Sequence, residues 1–170
     1  MKPNAVVRPM QPEETVAVKR LFYNVVHEFM APNQSLEEVT AIWDAWGGMN
    51  DLGDLQRQYV EMGGVFLVVL LDGQLVGTGG FRRYEVEGYC ELRRVALLPH
   101  ARGQGLGYAL LMELIQRAKA MGYARMILWT NRYVLTRAVE IYRRIGFVEV
   151  EHPGVDEDDI WMELELGMAA

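Results

Sequence analysis

The chain has 170 residues, 51% of them hydrophobic and 24% charged, which suits one soluble domain over residues 1–170 with a substantial core and excludes fibrous and disordered classes. A net charge of −6 argues against nucleic acid or an anionic membrane as the main partner and fits a cationic or amine substrate better. The single cysteine, Cys90, excludes internal disulfides and a cysteine-based zinc site.

Met1 to Asn4 lacks the apolar region of a secretory signal, and the longest apolar run, Val65 to Leu71, is too short to span a bilayer; the expected location is the cytoplasm. Val6 to Arg8 reads as a first strand ended by Pro9, and Pro12 suits the first turn of a helix. From Glu13 to Phe29 the positions Val16, Leu21, Val25 and Phe29, flanked by Val18, Phe22 and Val26, recur near the helical period, and Pro32 stops the run. Ser35 with Glu37 and Glu38 predicts a capped helix start, followed by the stripe Val39, Ile42, Trp43 and Trp46 up to Gly47-Gly48. Trp43 and Trp46 read as core packing, the alternative being a substrate-facing lid. Asp51 to Glu61 adds another helical turn or two.

Val65 to Leu71 and Gln74 to Arg82 are strands joined by Asp72-Gly73, the strongest hairpin signal in the chain. Gly77, Gly79 and Gly80 in the return strand imply close approach of a neighbouring element or a ligand. Glu85 to Gly88 is a turn, and the strand from Tyr89 to Leu98 changes pattern at Arg93-Arg94. A bulge there is one explanation; a strand end buried on both faces is the other. After it, Leu106, Leu110, Leu114 and Ala118, widened by Leu111 and Ile115, mark a helix ended by Gly122, and Arg125 to Thr130 a strand, so this β-turn-α-β unit implies a parallel pair. Leu135 to Ile145 predicts a last helix with Ala138, Ile141, Tyr142 and Ile145 on one face. Strands follow at Phe147 to Val150 and Ile160 to Leu166, separated by a Pro153-Gly154 turn and the acidic run Asp156 to Asp159. That run reads as a solvated turn, or as a feature that draws a cationic amine.

The stretch with the most chemistry is Arg102-Gly103-Gln104-Gly105-Leu106-Gly107. Its glycines permit φ > 0 and close approach to the main chain, and its free N–H groups lie where a helix begins, so a phosphate or pyrophosphate is the natural guest. Arg93, Arg94 and Arg102 supply local positive charge. A P-loop would need Lys-Ser or Lys-Thr after Gly107, where Tyr108-Ala109 stands, and a dinucleotide fingerprint would need glycine at Tyr108 and an acid near Thr130-Asn131. The kinase segments are absent as well.

Val95-Ala96-Leu97-Leu98-Pro99, the glycine loop, and Ala138 to Tyr142 to Gly146-Phe147 together resemble the GNAT N-acetyltransferase superfamily, well over Val65 to Phe147 and in outline before it. The resemblance implies an α/β (α+β) single-domain fold with a mixed sheet of about seven strands, a bulged, splayed strand pair and about four helices. It implies acetyl-CoA as cosubstrate. The amides of Gly103, Gln104, Gly105, Leu106, Gly107 and Tyr108, with Arg102, would take its pyrophosphate; the backbone of Val95, Ala96 and Leu97 its pantetheine arm; and Tyr142 would face the thioester sulfur. The family's asparagine three residues before Ala138 is Leu135 here, and Asn131 is the candidate to supply the missing contact.

Amide formation from a thioester needs a neutral amine and a protonated leaving thiol. A lysine-like amine with pKa about 10.4 is neutral only about once in 2,500 molecules at pH 7, costing roughly 4.6 kcal/mol, against about 1.3 for an α-amine. Glu91 is the leading base, acting directly or through a water; its competing reading is a surface salt bridge with Arg93. Tyr142 is the candidate acid, its competing reading a core tyrosine. His27, His100 and His152 are too dispersed for a metal set, so no metal is expected. The expected activity is acetyl transfer to a primary amine of a small molecule, peptide or protein, the alternative being a catalytically silent acyl-CoA-binding module. Homodimerisation is open.

Overall fold

In the computed structural model, which describes residues 4–132 and 136–167, Asp72 and Gly73 turn the chain with φ of +50° and +79° between β2 (Val65–Leu71) and β3 (Gln74–Arg83). Both residues occupy the left-handed region that a two-residue hairpin with the natural strand twist requires. β1 (Ala5–Pro9) adds antiparallel to β2, and β4 (Tyr89–Leu97) antiparallel to β3. β5 (Arg125–Asn131) then runs parallel to β4, and β7 (Asp159–Glu165) and β6 (Val148–Val150) complete one seven-stranded sheet in the order β1-β2-β3-β4-β5-β7-β6.

β2 shows why this sheet is covered on both sides. Leu67 and Val69 pack with α3 (Leu106–Ala120) and α4 (Thr136–Ile145), whereas Phe66 and Val68 pack with α1 (Thr15–Met30). Alternation sends successive side chains into two different cores, which is why the strand reads as a continuous apolar run. On α3, Leu106, Leu110, Leu111, Leu114 and Ile115 are all buried, a contribution on the order of 10 kcal/mol before chain entropy is subtracted. Gly79 makes this contact fit: a Cβ there would lie 3.2–3.3 Å from Leu110, Leu114 and Val95. The close approach read from the β3 glycines is therefore made by a neighbouring helix at Gly79, and by the flanking strands and Tyr59 at Gly77 and Gly80.

The two N-terminal helices differ from their expected faces. α1 buries Val18, Leu21, Phe22, Tyr23 and Val25 but leaves Val16 and Phe29 exposed. α2 (Leu36–Trp46) starts as its sequence signals: the Ser35 hydroxyl accepts from the Glu38 amide and the Glu38 carboxylate from the Ser35 amide, both at 3.2 Å. Of its apolar stripe only Val39 is buried. Trp43 packs edge-on to Tyr23 at 5.4 Å, and Trp46 is 69% exposed, so core packing is not its role. Asp51 to Glu61 forms a 3-10 turn (Asn50–Gly53) and a single π turn (Gln56–Val60), and although short they bury Leu52, Leu55 and Tyr59 completely in the core on the α1 side. The last helix begins, among the described residues, at Thr136 and buries Val139 as well as Tyr142; the predicted start at Leu135 lies outside the described residues. No helix among the described residues is long and apolar enough to cross a membrane.

The pattern change in β4 is a bulge. Thr78 pairs with Ala96 and Gly80 with Arg93, so β4 has one residue more than β3 between these pairs, and Arg94 takes φ +57°. A left-handed arginine costs about 1–2 kcal/mol, and its surroundings hold it. The Arg94 guanidinium forks onto Asp51, Nη2 to Oδ1 at 2.6 Å and Nε to Oδ2 at 2.9 Å, and donates to the Gly48 carbonyl at 3.0 Å. Tyr59 donates to the same carboxylate at 2.5 Å, Thr78 Oγ1 donates to the Arg94 carbonyl at 3.0 Å, and Phe22 lies under the guanidinium at 5.2 Å.

Burial alone would push the Asp51 carboxyl up, but the Arg94 hydrogen bonds and charge, with the Tyr59 donor, hold it below its ordinary value. A depressed carboxyl pKa contributes stability that is complete above the unfolded value near 3.9 and lost as pH falls through the lower folded value. Asp51→Asn is expected to cost about 3 kcal/mol in urea denaturation at pH 7, because a mostly buried arginine loses its counter-charge. The difference from wild type should shrink as pH is lowered through the carboxylate range; a difference constant with pH would disprove the assignment.

Candidate active site

The glycine loop follows a 3-10 turn (Pro99–Ala101) at the end of β4 and leads directly into α3. Gly103 and Gly105 have φ of +75° and +80°, and a Cβ on either would meet nothing within 4 Å. Their backbone conformation, rather than crowding inside the protein, is what requires glycine. Gly107 is different: a Cβ there would lie 3.3 Å from Leu97, so its smallness lets α3 start against β4. The first backbone bond of the helix runs from Ala109 N to Gly105 O at 3.0 Å. The six amides from Gly103 to Tyr108 donate to nothing among the described residues. Together with the positive end of a 15-residue helix they make a solvent-open row of donors whose chemistry suits an anion.

Arg102 holds this loop in place. Its Nε donates to the Leu97 carbonyl at 2.9 Å, its two terminal nitrogens reach the Glu28 carboxylate at 3.0 Å each, and its guanidinium lies 5.1 Å from the Phe29 ring. Gln104 Nε2 donates back to the His100 carbonyl at 2.9 Å. The arginine thus ties the loop to β4 and to the end of α1.

The parallel contact between β4 and β5 is three residues long, ending at Glu91 opposite Ile127. Past that point the two strands part, and the backbone of β4 on that side is unpaired. The Leu98 amide bonds the Val76 carbonyl at 2.9 Å, so alternation along the antiparallel ladder turns Ala96 toward β3 and turns Val95 and Leu97 away from it. Of the three residues expected to offer backbone groups to a ligand, Val95 and Leu97 have them available on the open side, with the Leu97 carbonyl shared with Arg102; Ala96 spends its own on β3.

A cleft of about 850 Å³ opens at this parting of strands, lined among others by Glu91, Arg93, Val95, Trp129, Asn131 and Tyr142. Glu91 stands where the pairing stops. It is 7% exposed, and Arg93 Nη1 donates to both of its carboxylate oxygens at 3.1 Å, so its ion pair is buried, not on the surface. A carboxylate has about four lone-pair positions, which leaves room to accept a further proton. Tyr142 comes from α4, edge-on to Phe147 at 5.6 Å, and its hydroxyl makes no hydrogen bond among the described residues. Burial pushes its phenol up to about 12. Asn131 Nδ2 donates to Asp159 at 3.2 Å, which joins the end of β5 to the acidic run. Asp156, Glu157 and Asp158 form an exposed turn, as the solvated-turn reading has it, and the run to Asp159 also lines the rim of the cleft.

Tyr142, Glu91, Val95 and Asn131 are therefore gathered in one cleft, and the loop from Arg102 to Tyr108 sits beyond the end of β4, outside it. Sequence reasoning missed Asp51 and Tyr59, which anchor the bulge, and Gly64, whose added Cβ would fall 1.7 Å from the Phe81 carbonyl oxygen. Nothing in the local pattern of Asp51 marks it, since its partner lies 43 positions away.

The sequence matches the acetyltransferase (GNAT) family over residues 27–147. It is 31% identical over 104 residues to the uncharacterized N-acetyltransferase YjgM of Escherichia coli, covering 60% of this chain and 62% of that one. It is 32% identical over 111 residues to the N-acetylaspartate synthetase of Xenopus tropicalis, covering 65% of this chain and 40% of that one. The chain thus spans less than two thirds of both relatives. The fold superposes on PaiA N-acetyltransferase from Thermoplasma acidophilum, solved with coenzyme A, with a TM-score of 0.77 over 95% of this chain and 99% of that one at 20% identity.

A phenol raised to about 12 stays protonated throughout the neutral and mildly alkaline range. Tyrosinate absorbance of wild type and Tyr142→Phe, taken per molecule, should therefore coincide up to about pH 10, where an exposed tyrosine is already half ionised. An excess of wild-type signal below that pH would show the phenol to be unperturbed.

Proposed function

The chain belongs to the acetyltransferase (GNAT) family, and on that premise we propose that it moves an acetyl group from acetyl-CoA to a primary amine of a small molecule or peptide. The observation that carries this reading is the row of six unpartnered amides, Gly103 to Tyr108, placed directly beyond the unpaired edge of β4. One element thereby offers diphosphate-binding donors at its end and strand-like backbone groups along its side. The open space around Gly103 and Gly105 is consistent with a ligand lying against the main chain.

When bound, acetyl-CoA supplies an acyl carbon activated as a thioester. The amides of Gly103, Gln104, Gly105, Leu106, Gly107 and Tyr108 hold the pyrophosphate, and Arg102 keeps their loop in register from its anchorage on Leu97 and Glu28. Val95 and Leu97 orient the pantetheine arm through backbone groups facing the gap. Glu91 would take one proton from the ammonium to give the neutral amine that attacks, and Tyr142 would give its proton to the departing sulfur. One bond would form, amine nitrogen to acyl carbon, and one would break, that carbon to sulfur. The nitrogen would lose its second proton as the amide forms, and that proton would restore Tyr142, so that one proton in all, the one held by Glu91, is released to solvent. Asn131, fixed by Asp159, is a cofactor-side contact in this reading. The frog relative's name records an amino-acid acceptor, which supports amine acetylation as the reaction class. The silent acyl-CoA-binding alternative rests on Leu135, which lies outside the described residues, and on a candidate base, Glu91, that is already paired with Arg93.

The reading is tested by calorimetry with acetyl-CoA and by thiol release across an amine panel. Micromolar acetyl-CoA binding is expected, tighter than that of ATP, with release dependent on amine. Tyr142→Phe and Glu91→Gln should each lower kcat by roughly 100-fold, the lower end of general acid–base contributions. Arg102→Glu should weaken acetyl-CoA, because it sets a second carboxylate against Glu28 and releases the loop that presents the amides. Binding without amine-dependent release would leave only the silent module, and absence of binding would remove both.

A further inference from the structure

The fold leaves Met30, Ile42, Trp46 and Trp129 exposed by 63, 58, 69 and 52%, and all four meet as lining of the cleft that contains Glu91. They come from three separate elements, α1, α2 and β5, so their convergence is not the by-product of one helix face. Large apolar side chains exposed together around a concavity mark a binding surface.

The charges of the cleft are unevenly placed. Its floor is neutral, because Glu91 is paired with Arg93 and Arg94 with Asp51. Its remaining wall is Asp156, Glu157, Asp158 and Asp159, none of which is in an ion pair among the described residues; Asp159 alone is engaged, by the Asn131 amide. Four uncompensated carboxylates beside a neutral floor draw a cation and repel an anion.

Resting on the acetyl-transfer reading, we propose that the acceptor is a small primary amine carried on an apolar or aromatic body and bearing no carboxylate. Trp46, Ile42 and Met30 on one side and Trp129 on the other contact the body, and the acidic run raises the local concentration of the ammonium form before Glu91 takes its proton. Tryptophan faces also favour a nearby ammonium, so walls and charge select the same ligand.

The test uses the full chain with acetyl-CoA and four acceptors: 2-phenylethylamine, aspartate, spermidine and a short peptide with a free N-terminus. The expected result is a kcat/KM for 2-phenylethylamine at least about tenfold above each of the others. Trp129→Ala should raise its KM about tenfold, equivalent to about 1.4 kcal/mol, with acetyl-CoA affinity unchanged. Trp46→Ala, on a still more exposed side chain, provides a second variant that leaves the core intact. Salt should lower kcat/KM for this amine, and less so in Asp156→Asn/Glu157→Gln/Asp158→Asn. A preference for aspartate, spermidine or the peptide overturns the proposal, as does an unchanged KM in both tryptophan variants. Sedimentation showing these tryptophans covered by a second copy at assay concentration overturns it too. Failure to bind acetyl-CoA defeats the transfer reading itself, whereas binding and turnover with a different acceptor ranking defeats this inference alone.

Discussion

The fork between Arg94 and Asp51 is the constraint on which the rest of the site depends. β4 contains one residue too many for β3, and the surplus is accommodated by a left-handed arginine, a conformation that no arginine adopts without compensation. The compensation comes from a segment with little secondary structure of its own: Gly48, Asp51 and Tyr59 all close on this one side chain or its partner. Fixing the bulge changes which side each later residue of β4 faces. Arg93 and Arg94 both turn toward the α1 side, while Val95 and Leu97 join the core under α3. The separation from β5 begins two residues earlier, after Glu91. Bulge and separation together leave a stretch of strand backbone that, apart from the Leu97 carbonyl held by Arg102, has no partner among the described residues, an arrangement that is costly unless something else uses it.

The same strand separates the two charge preferences of the molecule. Beyond its end lie unpartnered amides and a helix N-terminus, suited to an anion. On its side lies a cleft whose floor is neutral and whose rim is acidic, suited to a cation. With a net charge of −6, the protein cannot attract an anionic ligand by its overall field, so that end must rely on short-range donors. Backbone amides suit this task because their dipoles are fixed by the fold and need no reorganisation. Arg102 fits the same logic: its charge is spent on Glu28, and its contribution is to hold the loop.

Much of this was legible in the sequence where a signal is local. Asp72-Gly73, the Ser35 cap, the apolar stripe of α3 and the glycine loop each depend on neighbours within a few residues, and each lies where its pattern indicated. The slip in alternation at Arg93-Arg94 pointed either to a bulge or to a strand end buried on both faces, and the strand register decides for the bulge. What sequence could not supply was partnership at a distance. Nothing near Asp51 says that it will meet Arg94, and nothing in the helical period of Val39, Ile42, Trp43 and Trp46 distinguishes a face that packs on a core from one that lines a cleft. α1 was misread for a related reason: Val16 and Phe29 fit the period but lie in the first and last turns of the helix, where they are left exposed.

The burial of Tyr142 bears on how an acid can work at this position. A phenol raised to about 12 is a weaker acid than a free one, which on its face makes proton donation harder. The relevant quantity, however, is the difference between donor and acceptor. A thiolate leaving in the same apolar surroundings is desolvated as well, and its own pKa rises for the same reason. Moving both groups out of water therefore preserves most of the match between them while raising the energy of the charged sulfur that would form without a proton. In the proposed reaction, a tyrosine hydroxyl with no other hydrogen-bond partner among the described residues would be free to orient toward that sulfur. Had it been held by a carboxylate, as Tyr59 is by Asp51, the proton would have been committed elsewhere. Two tyrosines of one chain, both buried and both raised, thus serve opposite ends: one fixes the bulge because its partner is permanent, and the other can serve transfer because it has none among the described residues.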